Sequence, residues 1–448
     1  EMQAQLGVLE IEQVDFDNGV KALVWANDAE PGRVTVRVRF GAGMRAFDNT
    51  NAVYAPLGEA ALVGSGLGEL GQNEIDRLAT GRKLGFDFSV DDAVFTFTAQ
   101  TRSEDVNDQL YLFAAKLGMP RWDKDPVIRA KAGAELAYNT FSTSPGGVLN
   151  RDLEYLVTGG EARFATPDPV ALKAATPEGF RAVWEPLLKQ GPVEVLVFGE
   201  FDSDAVIEQL RLTFGALPAR APIAPEVAAR VPSFAPASDK PTVVTHRGDA
   251  NQAAAVVAWE SGGGVAALRE SRQLEILTQL FNNRLLEALR ERAGASYSPQ
   301  VFSAWPADLA SGGRITAAAQ LEPEFVPVFF AEAERIAKDL AANPPTADEL
   351  ERVTEPLGQM IRRASTGNQF WLYNLEGATQ DPARVALLRT LLSDYSQTSP
   401  QAMQVLAERY LTKGSPFRLA IIPEGQALAE AAPASAGSNA ARNAAPGR

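Results

Sequence analysis

The sequence predicts an α+β protein of two homologous domains, each an antiparallel-rich sheet with helices packed on one face. Three observations carry that expectation. Short runs that alternate apolar and polar residues, the mark of half-buried strands, come in hairpin-like groups, whereas stretches of 3.6-residue periodicity come in runs between them. The plan also occurs twice: Gln100 and Gln320, Ala115 and Arg335, and Glu135 and Glu355 fall into register at one offset of 220 residues. Solenoid repeats recur every ~20–50 residues, so the duplication is one of whole domains. Finally, residues 218–241 hold six prolines among alanines and polar residues with neither helical nor strand periodicity, which reads as an extended linker.

The elements follow in order. Val20–Trp25 and Val34–Phe40 alternate as strands, the second ending at Gly41-Ala-Gly43. Phe86–Val90 and Val94–Gln100 form a hairpin, and Val193–Phe198 is a late strand. Helical stretches are expected over 52–63, 73–83, 104–117, 126–141 and 203–213. In the second copy Ala253–Trp259 is a strand, Leu268–Arg292 a long helix, Ser298–Ala304 and Gly313–Leu321 strands, Phe325–Leu340 a helix and Phe417–Ile422 the closing strand. Thr346-Ala-Asp-Glu-Leu350 opens a further helix. The expected domains are 1–217 and 242–425, with 218–241 between them and a disordered Ala/Ser/Asn/Gly tail over 426–448. Helices on one face would leave the other face of each sheet free to line a cavity.

Composition excludes several function classes. At 448 residues and 46% hydrophobic content the chain can bury two large cores. No window holds the ~18 uninterrupted apolar residues of a membrane helix. Glu1-Met-Gln-Ala-Gln5 is polar, so a secretory signal is expected to be absent or already removed. With no cysteine, disulfides, thiol catalysis and cysteine–zinc sites are excluded. A net charge of -14 argues against nucleic acid, which requires a concentrated Lys/Arg surface, and would steer basic peptides toward the chain.

The candidate functional residues sit at the end of the long helix. Leu274, Leu277, Leu280, Phe281, Leu285 and Leu289 commit one of its faces to a core, and Gly294 reads as its C-terminal cap. Arg290 then falls in the last turns and Tyr297 just beyond the cap. On the residues alone, an arginine neutralising a helix end and a tyrosine packed at a strand start is an equal reading.

Arg290, six intervening residues and Tyr297 resemble the arginine and tyrosine of the second domain in insulinase-type zinc metallopeptidases, the pitrilysin and mitochondrial-processing-peptidase superfamily. The resemblance runs from residue 10 to about 424 and includes the strand-Gly-Ala-Gly-Met-Arg passage at 36–45. It implies two α+β domains forming one half of a clamshell, with two halves enclosing a peptidase chamber. It also implies that Arg290 bonds a substrate carbonyl while Tyr297 donates its hydroxyl to the oxyanion. The family's zinc centre uses H-x-x-E-H on a helix. Here the aligned stretch Val53–Val63 puts Pro56 and Ala60 at the histidine positions and keeps only Glu59, with Glu135 at the distal ligand's place. Two separated glutamates without imidazole or thiolate depart from zinc's usual ligand sets. No metal or cofactor is expected in this chain; zinc is expected in a partner.

Other motifs read as structural. His246 has no partner histidine, and no G-x-S-x-G elbow is present, so a serine hydrolase is excluded. Gly66-Leu-Gly68-Glu-Leu-Gly71 matches the dinucleotide fingerprint but follows a helix rather than a strand. Gly262-Gly-Gly264 reads as a loop, and Phe370-Trp-Leu-Tyr373 as core. The resulting expectation is a non-catalytic subunit or half of a heterodimeric zinc metalloendopeptidase that closes the chamber and binds peptide. The alternatives are a structural or interaction protein with an inactive peptidase fold and, as a third class, a self-sufficient hydrolase. The expected partners are a homologous zinc-bearing half and peptide substrates, in the periplasm or otherwise the cytoplasm.

Overall fold

The computed structural model describes residues 10–293 and 298–430. Glu1–Gln5, Gly294, Tyr297 and residues 431–448 of the expected tail lie outside the described residues. The first sheet contains β1 Glu12–Asp15, β2 Lys21–Ala26, β3 Arg33–Phe40, β4 Asp87–Val90, β5 Phe95–Arg102 and β6 Val193–Gly199, in the order β1-β2-β6-β3-β5-β4. The second contains β7 Thr242–His246, β8 Ala253–Glu260, β9 Gln300–Ala304, β10 Arg314–Leu321 and β11 Phe417–Pro423, in the order β7-β11-β8-β10-β9. Apart from β1 the two orders are images of each other. In each sheet one pair is parallel, β2 with β6 and β11 with β7.

The helices that matter here are α1 Tyr54–Gly64, α2 Val106–Gly118, α3 Lys124–Phe141, α4 Pro145–Val157, α5 Leu268–Ala293, α6 Val326–Ala342, α7 Ala347–Ala364 and α8 Asn368–Leu375. The 220-residue offset holds in detail for β5 and α2. Phe95, Phe97 and Ala99 face the first core as Ile315, Ala317 and Ala319 face the second, and Val106, Leu110 and Phe113 match Val326, Phe330 and Ala333. Strands β3 and β8 are related differently. Val34, Val36 and Val38 face inward, and their counterparts are Ala253, Ala255 and Val257. Because side chains alternate, a one-residue slip decides which face is buried, and the offset there is 219.

The main helical layer lies on one face of each sheet, as expected. In the first unit, Phe95, Phe97, Phe113 and Trp184 are fully buried, with Phe95 against Trp184 and Phe97 against Phe113 at tilted ring angles, each burial contributing about 1.5–3 kcal/mol. The opposite faces are not left free, because each receives a helix from the other unit. Val148 and Val157 of α4 pack with Ala254, Val256, Leu419 and Ile421 of the second sheet. Leu372 and Leu375 of α8 pack with Leu23, Leu196 and Phe198 of the first. The two exchanged helices occupy equivalent places in the duplication, so the sheets are joined through a reciprocal swap. Two amphipathic strand faces find cover that neither half could supply alone.

Residues 218–241 run along this joint. Ala221 bridges Gln190, Arg220 donates to the carbonyls of Gln190 and Gly191, and Ala235 N donates to Val157 O at 2.8 Å. Among the described residues no helix is long and apolar enough to cross a membrane.

Candidate functional site

Helix α1 buries Ala55, Leu57, Gly58, Ala61 and Leu62 against the first core. A Cβ on Gly58 would come within 2.1 Å of the Trp184 indole, whose Nε1 donates to Tyr54 O at 2.8 Å. That contact fixes the rotation of the helix and turns Pro56, Glu59 and Ala60 outward. Pro56 and Ala60 carry no side-chain donor atom for a metal. Glu59 Oε1 accepts the N–H of Val90, at 2.9 Å, on the edge strand β4. Loss of water around the Glu59 carboxyl raises it above the usual carboxylate range, the bond from Val90 pulls it back, and nearby Asp91 raises it again. Glu135 lies partly buried on α3. Among the described residues no group of three or more His, Cys, Asp or Glu side chains is placed to hold a metal ion. This donor set does not fit the zinc centre of the family that the sequence resembles.

Arg290 stands in the last turn of α5, exposed, while the leucine face of that helix is buried. Its neighbours are engaged: Arg284 pairs with Glu349 at 2.6 Å and Asp339 at 2.8 Å, and Arg292 with Glu332 at 2.7 Å. Arg290 forms no ion pair or hydrogen bond with a described residue. Tyr297 lies outside the described residues, so the structure places one member of the expected pair.

The remaining motifs are structural. His246, fully buried at the end of β7, donates from Nε2 to Gln252 O at 2.5 Å and accepts at Nδ1 from Gly248 N at 3.0 Å, locking the 246–252 turn. Leu67 and Leu70 bridge each other, making the 66–71 glycine motif a tight turn rather than a strand-to-helix phosphate loop. Trp305 Nε1 donates to Gly264 O at 3.0 Å, which clamps the 262–264 loop. In the Phe370–Tyr373 stretch Leu372 is core and Trp371 meets Trp25 edge-on at 6.1 Å, whereas Tyr373 is exposed.

A cavity of about 550 Å3 lies between the first sheet and the second unit, against the sheet face that the sequence left free to line one, though none of its lining residues was singled out from the sequence. Arg37 and Arg39 project into it from β3, from positions that alternation assigns to a solvated face. Each of its arginines is paired: Arg37 with Glu376, Arg39 with Glu194 at 3.3 Å and Asp308 at 2.6 Å, Arg384 with Asp308, and Arg272 with Asp394 at 3.0 Å. One sequence signal pointed there. Glu194 is the single charge inside the apolar run of β6, and a fully buried acid requires a partner.

Residues 175–357 match the family described as peptidase M16 inactive domain. No curated protein matches the sequence. Among solved structures the fold is shared with the periplasmic protease PqqL from Escherichia coli, at 15% identity and a TM-score of 0.76, over 92% of this chain and 45% of that one. It is shared as well with a protease from Helicobacter pylori, at 16% identity and TM-score 0.75, over 92% and 99%. A peptidase M16 inactive domain from Pseudomonas fluorescens aligns at 16% identity and TM-score 0.76, over 94% and 100%. The chain therefore spans about half the length of the E. coli protease and the whole of the other two. Residues 175–357 thus carry a sequence similar to the peptidase M16 inactive domain, and the chain as a whole shares the fold of these peptidase-like structures.

Proposed function

We propose that this chain is the non-catalytic half of a two-part zinc metalloendopeptidase. A homologous half, separate or fused, supplies the histidines, the glutamates and the zinc. This chain closes the chamber and holds peptide substrate through Arg290 and Tyr297. The reading is carried by a contrast between two helices: α1 presents proline and alanine where ligands would stand, while Arg290, at an exposed helix end, spends no N–H donor on any described residue. A charged donor without a partner is available to a substrate carbonyl, and an oxyanion donor acts most strongly in an enclosed site of low dielectric. That the chain spans about half of the E. coli protease supports a missing second half. The same reading puts the protein in the periplasm, the compartment named for that protease.

The test is co-purification from the native source followed by peptide hydrolysis assays. Hydrolysis should require both halves and disappear with chelator. Stoichiometric metal and chelator-sensitive proteolysis in the isolated chain would overturn the proposal. A partner that cleaves equally well without this chain would favour an interaction module instead.

A further inference from the structure

Between α1 and α3, on the side where Pro56 and Ala60 replace the histidines, runs a groove of about 590 Å3. Its size falls within the ~300–1,000 Å3 of small-molecule sites. Buried Leu57 and Leu172 line it, and its α3 wall is built from small residues, among them Ala130, Gly133 and Ala134. Of the lining side chains only Thr166 and Arg129 carry polar atoms. The Thr166 hydroxyl is committed to Arg151 O at 2.8 Å. Arg129 is exposed and forms no ion pair or hydrogen bond with a described residue. Its Nη2 stands 3.8 Å from where a Cβ on Gly64 would lie, which sets the guanidinium at the Gly64 end of the groove. Helix α3 buries only Pro126 and Val127 and leaves Ile128 and Leu136 at 53% and 70% exposure beside it.

The geometry points to a medium-chain fatty acid as the occupant, its acyl chain along the groove and its carboxylate on Arg129. An apolar trough with one guanidinium at its end, unpaired among the described residues, complements an apolar chain with one anionic end, and arginine holds a carboxylate in a two-pronged, charge-assisted contact. An extended peptide fits less well. Its backbone N–H and C=O groups would enter a trough whose only free polar group is Arg129, and unpaired polar groups are costly to desolvate. An acyl chain brings none, and every methylene it buries adds to binding. This inference is independent of Arg290 and Tyr297.

The experiment is calorimetric titration of the full chain with dodecanoate below its micelle concentration, alongside dodecanol. Two variants accompany it. Arg129→Gln removes the charge. Gly133→Phe fills the groove from a helical position where an added Cβ meets nothing within 4 Å, so the fold is retained. One saturable dodecanoate site is expected, weakened at least 10-fold by Arg129→Gln and at least 30-fold by Gly133→Phe. Dodecanol should bind at least 10-fold more weakly than dodecanoate and be indifferent to Arg129→Gln. Absence of a saturable site overturns the inference, as does binding that Gly133→Phe leaves unchanged. Equal binding of acid and alcohol that ignores Arg129→Gln overturns it too, because the groove would then be only an apolar contact.

Discussion

Glu194 on β6 accepts the backbone N–H of Gly377 at 2.7 Å, across the joint between the two units. Its second oxygen accepts from Thr379 N at 3.0 Å and from the Thr379 hydroxyl, and Arg39 approaches the first at 3.3 Å. This one buried carboxylate holds the turn that follows the swapped helix α8, so the exchange is fastened by charge as well as by the packing of Leu372 and Leu375.

Glu194→Ala should lower unfolding stability by about 3–5 kcal/mol, the usual cost of removing one member of a buried charged network. Arg39 keeps Asp308, so most of the loss comes from the unpaired donors of Gly377 and Thr379. Glu194→Gln should recover only part of it, since the amide nitrogen would face the donors of Thr379. Denaturant unfolding measures both variants. A change under about 1 kcal/mol for Glu194→Ala would show that the joint is held by packing alone.

Lys116 on α2 is buried, donates to Leu62 O at 3.2 Å and to Ser65 O at the end of α1, and lies 4.7 Å over the Phe86 ring. Burial pulls its ammonium down from 10.5 to about 8, with Asp123 opposing. Below about pH 8 the folded and unfolded chains both carry the proton. Between 8 and 10.5 only the unfolded chain does, so this group makes stability rise with pH across that window. The difference in unfolding free energy between wild type and Lys116→Met should therefore shift in favour of the wild type by about 2–3 kcal/mol from pH 7.5 to 10.5. A pH-independent difference would mean that the fold leaves the lysine at its ordinary value.

Much of this was legible in the sequence, because the strands alternate and the helices repeat with little interruption. The duplication was legible too, down to Val106 and Val326 on equivalent helix faces. The swapped helices were not. No helix was expected over 145–157, and although Leu149, Leu153 and Leu156 repeat at i, i+4 and i+7, periodicity reports which residues are buried but not which sheet buries them. Arg37 and Arg39 were not singled out for the same reason, since a polar residue opposite a valine row looks identical whether water or another domain lies beyond it. For the candidate site, the resemblance implied that Pro56 and Ala60 stand at ligand positions and that Arg290 is a substrate contact. It could not show that Glu59 had been given to Val90, a contact between residues 31 apart.

On the function proposed here, Arg290→Ala in the assembled peptidase should lower kcat/KM by roughly 1.5–3 kcal/mol of transition-state stabilisation, the range for a hydrogen bond from a charged donor. Tyr297→Phe should lower kcat by ~10²-fold, as loss of one oxyanion donor does. Steady-state kinetics on a peptide substrate measures both. If either variant stays within twofold of wild type with its fold intact, that residue is not a substrate contact.

Glu59→Ala gives the complementary test, because a glutamate at the motif's acidic position invites assignment as a general base. Here its carboxylate is spent on the N–H of Val90, and Pro56 and Ala60 beside it offer no metal ligand. The variant should leave kcat and kcat/KM of the assembled enzyme within about twofold of wild type. Its effect should fall on the edge strand instead: Val90 N–H loses its acceptor, at a cost of about 1 kcal/mol in stability and with faster amide exchange there. A glutamate with raised affinity for its proton also destabilises the fold as pH climbs past the ordinary carboxylate range, so Glu59→Ala should cost more stability at pH 4.5 than at pH 7. A hundredfold loss of turnover would instead make Glu59 part of the chemistry and overturn the non-catalytic reading proposed for this chain.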